Sequence, residues 1–269
     1  MSTLAISDQE FSQFQQFIHR VAGIHLSSAK KALICGRLGN RVAQKGMASF
    51  GEYFRLITSG HAPAETQVAV DLLTTNETYF FRESKHFDLL RQHASAARGR
   101  AEPFRVWSAA SSSGEEAYSI AMVLADVLEE GPWEIVGSDI STRVLDRART
   151  GHYVEMRTRN IPPAYLKRFC LKGTGSQADT VLVSKALRRR VSFTQVNLNE
   201  TLPAALGRFD VIFLRNVMIY FNNDTKRQVV GRVLEHLRPG GYFLIGHSES
   251  LNDITDRVEQ IAPSSYRKP

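Results

Sequence analysis

Apolar residues recur at helical spacing through roughly the first 70 positions of the chain. A capping box at 7–10 opens the first predicted helix. The apolar positions that follow share one face of it: Phe11, Phe14, Ile18 and Val21. A second helix is predicted over about 27–45, and a capping box at 49–52 and a helix-opening Pro63 predict two more. Residues 1–73 are therefore expected to form an all-helical unit.

After residue 100 the pattern changes to short apolar runs that alternate with helical stretches. Strands are predicted at 104–107, 134–137, 191–196, 210–214 and 242–245. Helices are predicted at 115–129 and at about 225–237. Because alternating strands and helices build a parallel sheet covered on both faces, this part is expected to be α/β. A basic, glycine-punctuated stretch at about 152–190 interrupts the alternation and is interpreted as an insertion.

Length and composition are those of a soluble globular protein with a sizeable core. The chain has 269 residues, of which 43% are hydrophobic and 23% charged. No apolar run approaches the ~18–20 residues of a membrane span, and residues 1–8 lack the pattern of a secretory signal. Two cysteines are too few for a disulfide framework. We expect a reduced, cytoplasmic protein without membrane insertion.

The net charge of +7 is concentrated in two segments. Residues 1–70 hold seven Lys and Arg against four Asp and Glu, and residues 151–195 hold nine against two. In the second predicted helix, four cations spaced by seven, four and four residues share one face: Lys30, Arg37, Arg41 and Lys45. Such a face either attracts an acidic partner or is simply solvated.

The loop after the first predicted strand has the character of a ligand site. Small residues at 108–113 allow close approach to the backbone, and Gly114 permits a tight turn into the next helix. That helix opens with Glu115 and Glu116, which would repel a phosphate. Asp139 ends the second strand, where it can accept hydrogen bonds from a ribose. A cationic ribose ligand that needs no phosphate site is S-adenosylmethionine (SAM). Each acid could instead act only as a favourable charge or a cap at the N-terminus of its helix.

Four motifs resemble those of the chemotaxis receptor glutamate methyltransferases, the CheR family. The segment 75–83 resembles the family's Asn-x-Thr-x-Phe-Phe-Arg motif, and 108–116 resembles its cofactor loop, with Ser111 where Cys is frequent. The segment 215–221 matches Arg-Asn-Val-Met-Ile-Tyr-Phe, and 246–249 matches Gly-His-Ser-Glu. The resemblance covers nearly the whole chain.

This resemblance implies a fold and a domain organisation. It implies an α/β class I (Rossmann-like) methyltransferase domain with a small antiparallel β-subdomain insertion, preceded by a small all-α N-terminal domain. The all-α domain would span 1–73, a linker and motif segment completing the active site would span 74–100, and the methyltransferase domain would span 101–269. The β-subdomain would occupy about 155–192.

The resemblance also implies roles for individual residues. Three would border the cofactor and the methyl group: Asn76, Thr78 and Arg82. Three would hold the methionine and ribose parts of the cofactor: Ala109, Glu116 and Asp139. Four would lie at or near the adenine: Asn197, Leu198, Arg215 and Asn216. Arg82 and Tyr220 would lie closest to the chemistry and are the predicted catalytic pair.

The implied reaction is SAM-dependent methylation of glutamate carboxylates on the cytoplasmic helices of methyl-accepting chemotaxis receptors, with S-adenosylhomocysteine as product. Glutamate is already ionised at neutral pH, so no general base is needed. The basic face of the second helix would dock along the receptor helices. Gly173 and Gly175 resemble a β-subdomain turn that grips a receptor C-terminal pentapeptide, although they could also serve only turn geometry. A monomer is expected.

Other functions fit the sequence less well. A nucleic-acid methyltransferase would suit the basic segments, but the Asp-Pro-Pro-Tyr motif of amino-group methylation is missing. A dehydrogenase would need G-x-G-x-x-G after a strand, and a serine hydrolase would need G-x-S-x-G. The eight histidines show no H-E-x-x-H pattern, so no metal is expected. A non-catalytic adaptor would not need Arg82, Asp139 and Tyr220 together.

Overall fold

The structure, a computed structural model, describes residues 4–269, so the first three residues inspected for a secretion signal lie outside the described part. Four helices form the N-terminal unit: α1 (Asp8–Ala22), α2 (Lys31–Gln44), α3 (Phe50–Thr58) and α4 (Pro63–Leu73). The capping box at the start of α1 is complete, and Gly23 ends that helix in the left-handed region, with φ 71°. A 3₁₀ turn, Ser28–Lys30, precedes α2, so the helix begins later than its cap pattern predicts.

The core of this unit is aromatic. Phe14 of α1 and Phe50 of α3 are fully buried, and their rings meet edge to face with centroids 6.3 Å apart. The ring of Phe54 lies 5.4 Å from that of Phe14, also edge to face. These contacts join the helices into one packed body.

A fifth helix, α5 (Lys85–Ala96), lies in the segment that the sequence predicts to be a linker. Its inner face, which includes Phe87 and Leu90, is buried in the core of the α/β part. The linker is therefore a structural layer of the α/β part. Short polar runs flank the segment on either side, so its helical periodicity is not recognisable in the sequence.

The α/β part contains the remaining elements. Its strands are β1 (Phe104–Ser108), β2 (Trp133–Asp139), β3 (His152–Val154), β4 (Cys170–Lys172), β5 (Thr180–Val183), β6 (Val191–Gln195), β7 (Phe209–Leu214), β8 (Leu237–Ile245), β9 (Glu259–Ala262) and β10 (Ser265–Arg267). Its helices are α6 (Glu115–Val127), α7 (Thr142–Thr150), α8 (Pro163–Phe169), α9 (Lys185–Arg188) and α10 (Asn223–Glu235).

Seven strands form the main sheet in the order β6-β2-β1-β7-β8-β10-β9. The first five are parallel, which confirms the predicted α/β class, and the β9–β10 hairpin adds two antiparallel strands at one edge. The hairpin was not predicted because β9 is short and mostly exposed, so it shows no apolar alternation. Strand β8 begins at Leu237, five residues before the predicted start.

The insertion is a separate antiparallel sheet in the order β3-β5-β4, as the resemblance implies. It begins at His152, slightly before the expected boundary, and α8 and α9 flank its strands. Tyr153, Val181 and Val183 are buried toward the core, whereas Val154 and Leu171 are exposed on the outer face. Strand β6 then returns to the main sheet.

The N-terminal unit packs on the end of the main sheet where the parallel strands terminate. Asn197, after β6, donates to the carbonyl of Val21 at 2.7 Å, and Ile24 forms a β-bridge with Phe221. These contacts place α1 and the following loop beside the carboxyl edge of the sheet.

Helix α7 is capped by a side chain from another helix. Ser141 is its N-cap residue, but the Ser141 hydroxyl makes no capping hydrogen bond. The Asp71 carboxylate, reaching from α4, accepts instead from the N–H groups of Thr142 (3.0 Å) and Arg143 (3.3 Å). A distant carboxylate thus fills the role of a local hydroxyl and fixes α4 to α7.

Within residues 4–269, no helix combines the length and apolar character needed to cross a bilayer.

Candidate functional site

A cavity of about 930 Å³ lies at the carboxyl ends of β1, β2 and β7. This volume includes the open solvent at the mouth of the cavity. All residues that the sequence analysis assigned to the cofactor line it: Asn76, Thr78, Arg82, Ala109, Glu116, Asp139, Asn197, Leu198, Arg215 and Asn216. Tyr220 also lines it, and so do Ala22 and Ile24 from the N-terminal unit, which were not predicted.

Asp139 is a buried hydrogen-bond acceptor in the wall of this cavity. Its carboxylate accepts from the N–H of Ser112 at 2.9 Å and from the N–H of Ser141 at 3.0 Å. Burial disfavours the charged form and raises the pKa of Asp139 to about 6, although these N–H groups oppose the shift. The carboxylate is therefore ionised at neutral pH and close enough to its pKa to be pH-sensitive.

The loop between β1 and α6 follows a path that requires glycine at one position. Gly114 has φ +96°, and a Cβ there would lie 2.9 Å from the Tyr153 hydroxyl and 3.1 Å from the Ala148 Cα. The hydroxyl of Ser112 donates to the carbonyl of Asn76 at 3.0 Å. The small-residue loop and the 75–83 motif thus form one continuous wall.

The two acids that open α6 point in different directions. Glu116 faces the cavity and accepts from the Ser108 hydroxyl at 2.6 Å, and burial raises its pKa. Glu115 does not line the cavity. It is fully buried and pairs with Arg157 of the insertion. The expectation that both acids repel a phosphate in the cavity is therefore wrong for Glu115.

Arg215, at the end of β7, is held between two carboxylates. Its side chain is 1% exposed and donates to Glu116 at 3.1 Å and to Glu83 at 3.0 Å. The same guanidinium donates to the carbonyl of Arg82. Arg215 therefore links the 75–83 motif to α6, and its donors are directed at protein groups.

Arg82 differs from Arg215 in having no carboxylate partner within residues 4–269. One guanidinium N–H donates to the carbonyl of Glu77 at 3.3 Å, and the group lies 5.5 Å from the ring centroid of Tyr79. Tyr220 lies on a 3₁₀ turn, Met218–Tyr220, across the same cavity. The cavity wall therefore contains one guanidinium without a carboxylate partner in the described chain, that of Arg82, and one phenol, that of Tyr220.

The family-like motifs contain three phenylalanines: Phe80, Phe81 and Phe221. Phe221 lines the cavity. Phe80 is fully buried against Tyr153, with ring centroids 5.0 Å apart, and Phe81 packs on Phe87 at the same separation. The first two therefore anchor the motif to the core.

The motif turn has an unusual backbone. Phe81 and Glu83 both lie in the left-handed region, with φ 55° and 57°, and so does Asn216 at φ 56°. The N–H of Phe81 donates to the Ser119 hydroxyl at 3.0 Å, and Glu83 accepts from Arg215. These bonds hold a conformation that costs roughly 1–3 kcal/mol per residue at functional sites.

Glu83 and Glu249 are positioning groups that sequence reasoning did not single out. Glu249 accepts from the N–H groups of Asn216 (2.9 Å), Gly246 (2.7 Å) and Ile219 (3.2 Å). It thereby shapes the 215–220 loop that carries Tyr220. The Gly-His-Ser-Glu motif contains both Glu249 and Gly246, but Asn216 and Ile219 lie about 30 positions away, and no local pattern reveals their contacts with Glu249.

The basic face of α2 is partly used within the chain. Arg37 donates to the carbonyl of Leu73 at 2.6 Å, and its other guanidinium donors contact the next two residues. Arg41 and Lys45 both pair with Glu65, at 2.6 Å and 3.0 Å. Lys30 is exposed and has no ion pair in the described chain.

Gly173 and Gly175 lie on the connection between β4 and β5. A Cβ at Gly173 would lie 1.8 Å from the carbonyl oxygen of Gln177, so this position requires glycine. Gly175 has φ +58° and opens onto solvent. The pair lies at the end of β4, an edge strand of the small sheet.

Comparisons with known proteins agree with this architecture. Residues 9–74 match the family model "CheR methyltransferase, all-alpha domain", and residues 76–267 match "CheR methyltransferase, SAM binding domain". The Chemotaxis protein methyltransferase of Escherichia coli is 42% identical over 256 residues, which are 94% of this chain and 88% of that protein. Chemotaxis protein methyltransferase 2 of Pseudomonas aeruginosa is 42% identical over 260 residues, 96% and 92% of the two chains. The chain therefore belongs to the CheR methyltransferase family and is a SAM-dependent methyltransferase of chemotaxis.

Proposed function

We propose that the cavity transfers the methyl group of SAM to glutamate carboxylates on the cytoplasmic helices of methyl-accepting chemotaxis receptors. This proposal rests on a difference between two arginines of the cavity wall, of which one has carboxylate partners and the other has none in the described chain. Arg215 is neutralised by Glu83 and Glu116, whereas Arg82 has no carboxylate partner in the described chain. An unpaired guanidinium in a cavity wall suits a carboxylate brought by a substrate.

The residues present suit SAM. Asp139 is a buried anionic acceptor for a ribose, and Glu116 adds negative charge where a cationic cofactor would lie. Ala109 and Ala110 leave room beside the backbone. In our proposal Asn197 and Leu198 flank the adenine, and Asn76 and Thr78 border the methyl-bearing end.

The reaction needs positioning and no proton transfer. SAM supplies an electrophilic methyl group on a cationic sulfur. The glutamate oxygen forms a new bond to that carbon while the carbon–sulfur bond breaks and its electron pair stays on sulfur, which leaves S-adenosylhomocysteine. Arg82 binds and orients the carboxylate, and Tyr220 donates to it or packs beside the methyl group. Phe221 limits water at the site.

Receptor docking is assigned to the face of α2. Glu65 carries one negative charge against Arg41 and Lys45, so this trio keeps a charge of +1, and Lys30 and Arg37 add to it. Helices rich in glutamate would be attracted to this face. The face also lies beside the cavity, because Arg37 contacts Thr74 and Thr75, which line it.

A receptor C-terminal pentapeptide is assigned to the edge of β4 beside Gly173 and Gly175. Main-chain groups of an edge strand can pair with an extended peptide. A Gly173→Val variant should lose this binding, because a Cβ at that position meets the Gln177 carbonyl oxygen at 1.8 Å. Gly36→Val on α2, where a Cβ meets nothing within 4 Å, is the control. The affinity of a labelled receptor peptide for each variant is measured by fluorescence anisotropy. Equal affinity for the two variants would contradict peptide binding at this edge.

The remaining parts of the proposal follow from the substrate. Receptor methylation helices face the cytoplasm, so we propose that the enzyme acts there. We also propose that it is a monomer and that it has no nucleic-acid partner. The test is peptide mapping by mass spectrometry of a receptor cytoplasmic fragment incubated with the protein and SAM. Methyl groups on glutamate side chains support the proposal. Methylation only of lysine, or only of added nucleic acid, would overturn it.

A further inference from the structure

Three side chains beside the cofactor cavity form a cluster of potential metal ligands, and of these only Glu83 has a role in the proposed site, as a partner of Arg215. Glu83, His86 and His247 each bring one potential ligand atom, and these atoms lie within 4.8 Å of one another. His86 Nδ1 lies 3.6 Å from Glu83 Oε2, and His247 Nε2 lies 3.9 Å from the same oxygen. The cluster joins the 75–83 motif turn, the start of α5 and the 246–249 loop.

We assign the tautomer of His86 from the Ser264 hydroxyl, which lies within hydrogen-bond distance of both the Pro263 carbonyl oxygen and His86 Nε2. The Ser264 hydroxyl donates its only proton to the carbonyl of Pro263 at 2.7 Å. Its oxygen therefore accepts from His86 Nε2, 2.9 Å away, and Nε2 carries the ring proton of the neutral imidazole. Nδ1 then presents a lone pair.

That lone pair is buried and has no hydrogen-bond partner among the described residues. The His86 side chain is 1% exposed, and its Nδ1 faces a carboxylate oxygen of Glu83. Two electron-rich atoms facing each other at 3.6 Å are unfavourable unless a cation lies between them. The Ser264 hydroxyl is the kind of outer partner that orients a metal-binding histidine.

The local charge leaves room for a cation. Arg215 is shared by Glu83 and Glu116, so one positive charge faces two negative charges. Glu83 Oε2 accepts from Arg215 Nε at 3.3 Å and from Nη2 at 3.0 Å, so an ion bound to this oxygen would replace the longer of the two bonds. His247 is half exposed, which gives the ion a route from solvent.

We propose that Glu83, His86 and His247 form a binding site for a divalent transition-metal ion of the Zn²⁺ type. Imidazole nitrogen and carboxylate oxygen bind such ions at about 2.0–2.2 Å, which places ligand atoms about 3.3–3.5 Å apart in a tetrahedral site. The observed 3.6 Å and 3.9 Å are close to this spacing, and the exposed His247 can move to complete it. The ion would join the motif turn to the 246–249 loop.

Local residue spacing predicts no metal site in this chain, because the three ligands do not form a local pattern. Glu83 and His86 are three positions apart, but His247 is more than 160 positions away. Only the fold brings the third ligand into the set.

The test is titration of Co²⁺ into tag-free, chelator-treated protein, followed by visible absorption, with Zn²⁺ as competitor. We expect saturation at one ion per chain with ligand-field bands of a four-coordinate site, and displacement by Zn²⁺. His247→Ala removes a half-exposed ligand with little risk to folding and should weaken binding by at least about 10²-fold. His61→Ala, which removes an exposed histidine on the loop between α3 and α4, should leave it unchanged.

A second variant tests the orienting role of Ser264. Ser264→Ala leaves all three ligands in place but removes the acceptor for His86 Nε2, so affinity should fall by about 10–100-fold. No saturable Co²⁺ binding by the unmodified protein would overturn the proposal. Binding that is equal in the protein and in His247→Ala would also overturn it.

Discussion

Arg82 is the cavity-lining arginine whose charge the described chain leaves unpaired, and this distinguishes it from Arg215. An Arg82→Ala variant removes the proposed carboxylate partner and breaks a 3.3 Å bond to the carbonyl of Glu77 and the contact with the Tyr79 ring, without disturbing the core. We expect methyl transfer to fall by about 10²-fold or more, because a substrate carboxylate is no longer held in place. The unfolding free energy should change by no more than about 0.5 kcal/mol, as for other substitutions that leave the core intact.

Methyl-transfer rates and thermal unfolding of the purified variant check this prediction. Arg208→Ala is the matched control, because Arg208 is exposed before β7, at the end of the sheet opposite the cavity. Unchanged transfer by Arg82→Ala would show that another group holds the carboxylate.

Asp139 should make cofactor binding dependent on pH. Burial raises its pKa to about 6, so the carboxylate that we propose to accept from the ribose is protonated below that pH. We expect the dissociation constant for SAM to rise as pH falls, approaching about tenfold per pH unit well below pH 6. Isothermal titration from about pH 7.5 to about pH 5 measures this slope.

The same shift has a consequence for folding. Since the folded-state pKa of Asp139 lies above its ordinary value of 3.8, its contribution to stability is full below about pH 4 and is lost as pH rises through 6.

An Asp139→Asn variant is the control for the binding prediction. It should bind SAM weakly at every pH, and the dependence of its dissociation constant on pH should be smaller. A steep slope that persists in the variant would assign the titration to another group.

Most of the cavity was predictable because it depends on where strands end. Asp139 and Arg215 follow apolar runs, and parallel strands bring their carboxyl ends to one edge. The ion pairs were not predictable. Glu83 lies 132 positions from its partner Arg215, and no local pattern records such a pairing.

The insertion is connected to the cofactor loop through Arg157. Its guanidinium pairs with the fully buried Glu115 and donates to the carbonyl of Thr78 at 3.2 Å and to the Ser113 hydroxyl at 3.4 Å. Arg157→Ala leaves a buried carboxylate without its cation. We expect a loss of about 1–3 kcal/mol in the free energy of unfolding, since a buried polar group is left unsatisfied.

A double variant separates this electrostatic effect from lost packing. Arg157→Ala with Glu115→Gln removes the buried charge as well, so it should recover part of the stability lost by Arg157→Ala alone. Denaturant unfolding of the four proteins in this cycle provides the measurement. Additive effects would show that the pair is not coupled.

The α2 face should control receptor recognition without affecting the cofactor. Lys30 is exposed and has no ion pair in the described chain, so Lys30→Glu changes the charge of the face without breaking an internal contact. We expect slower receptor methylation at low salt, a smaller difference at high salt, and unchanged SAM affinity. Arg208→Glu, on the opposite side, is the control. Equal methylation rates at low salt would exclude Lys30 from docking.

The elements that sequence patterns missed are those whose stability comes from tertiary contacts. Helix α5 lies in a segment of mixed polarity, and its buried face becomes visible only against the α/β core. The β9–β10 hairpin has too few apolar residues for a recognisable alternation. Tertiary packing outweighs local propensity in both cases.

The molecule as a whole forms its cavity from three parts. The N-terminal unit supplies Ala22 and Ile24, the motif segment supplies Arg82, and the sheet supplies Asp139 and Arg215. Asp71 of α4 caps α7, and Asn197 bonds to α1, so the parts are held together by specific hydrogen bonds. The cavity is therefore formed by all three parts and not by the α/β part alone.

The most direct test of the proposed chemistry is the fate of a labelled methyl group. The protein is incubated with methyl-labelled SAM and membranes rich in chemoreceptors, and the product is treated with alkali. Carboxyl methyl esters hydrolyse to volatile labelled methanol, whereas methyl groups on nitrogen are retained. We predict volatile label that depends on the protein and is lost in Arg82→Ala. Label that stays on the receptor after alkali, or no transfer despite measurable SAM binding, would contradict carboxylate methylation.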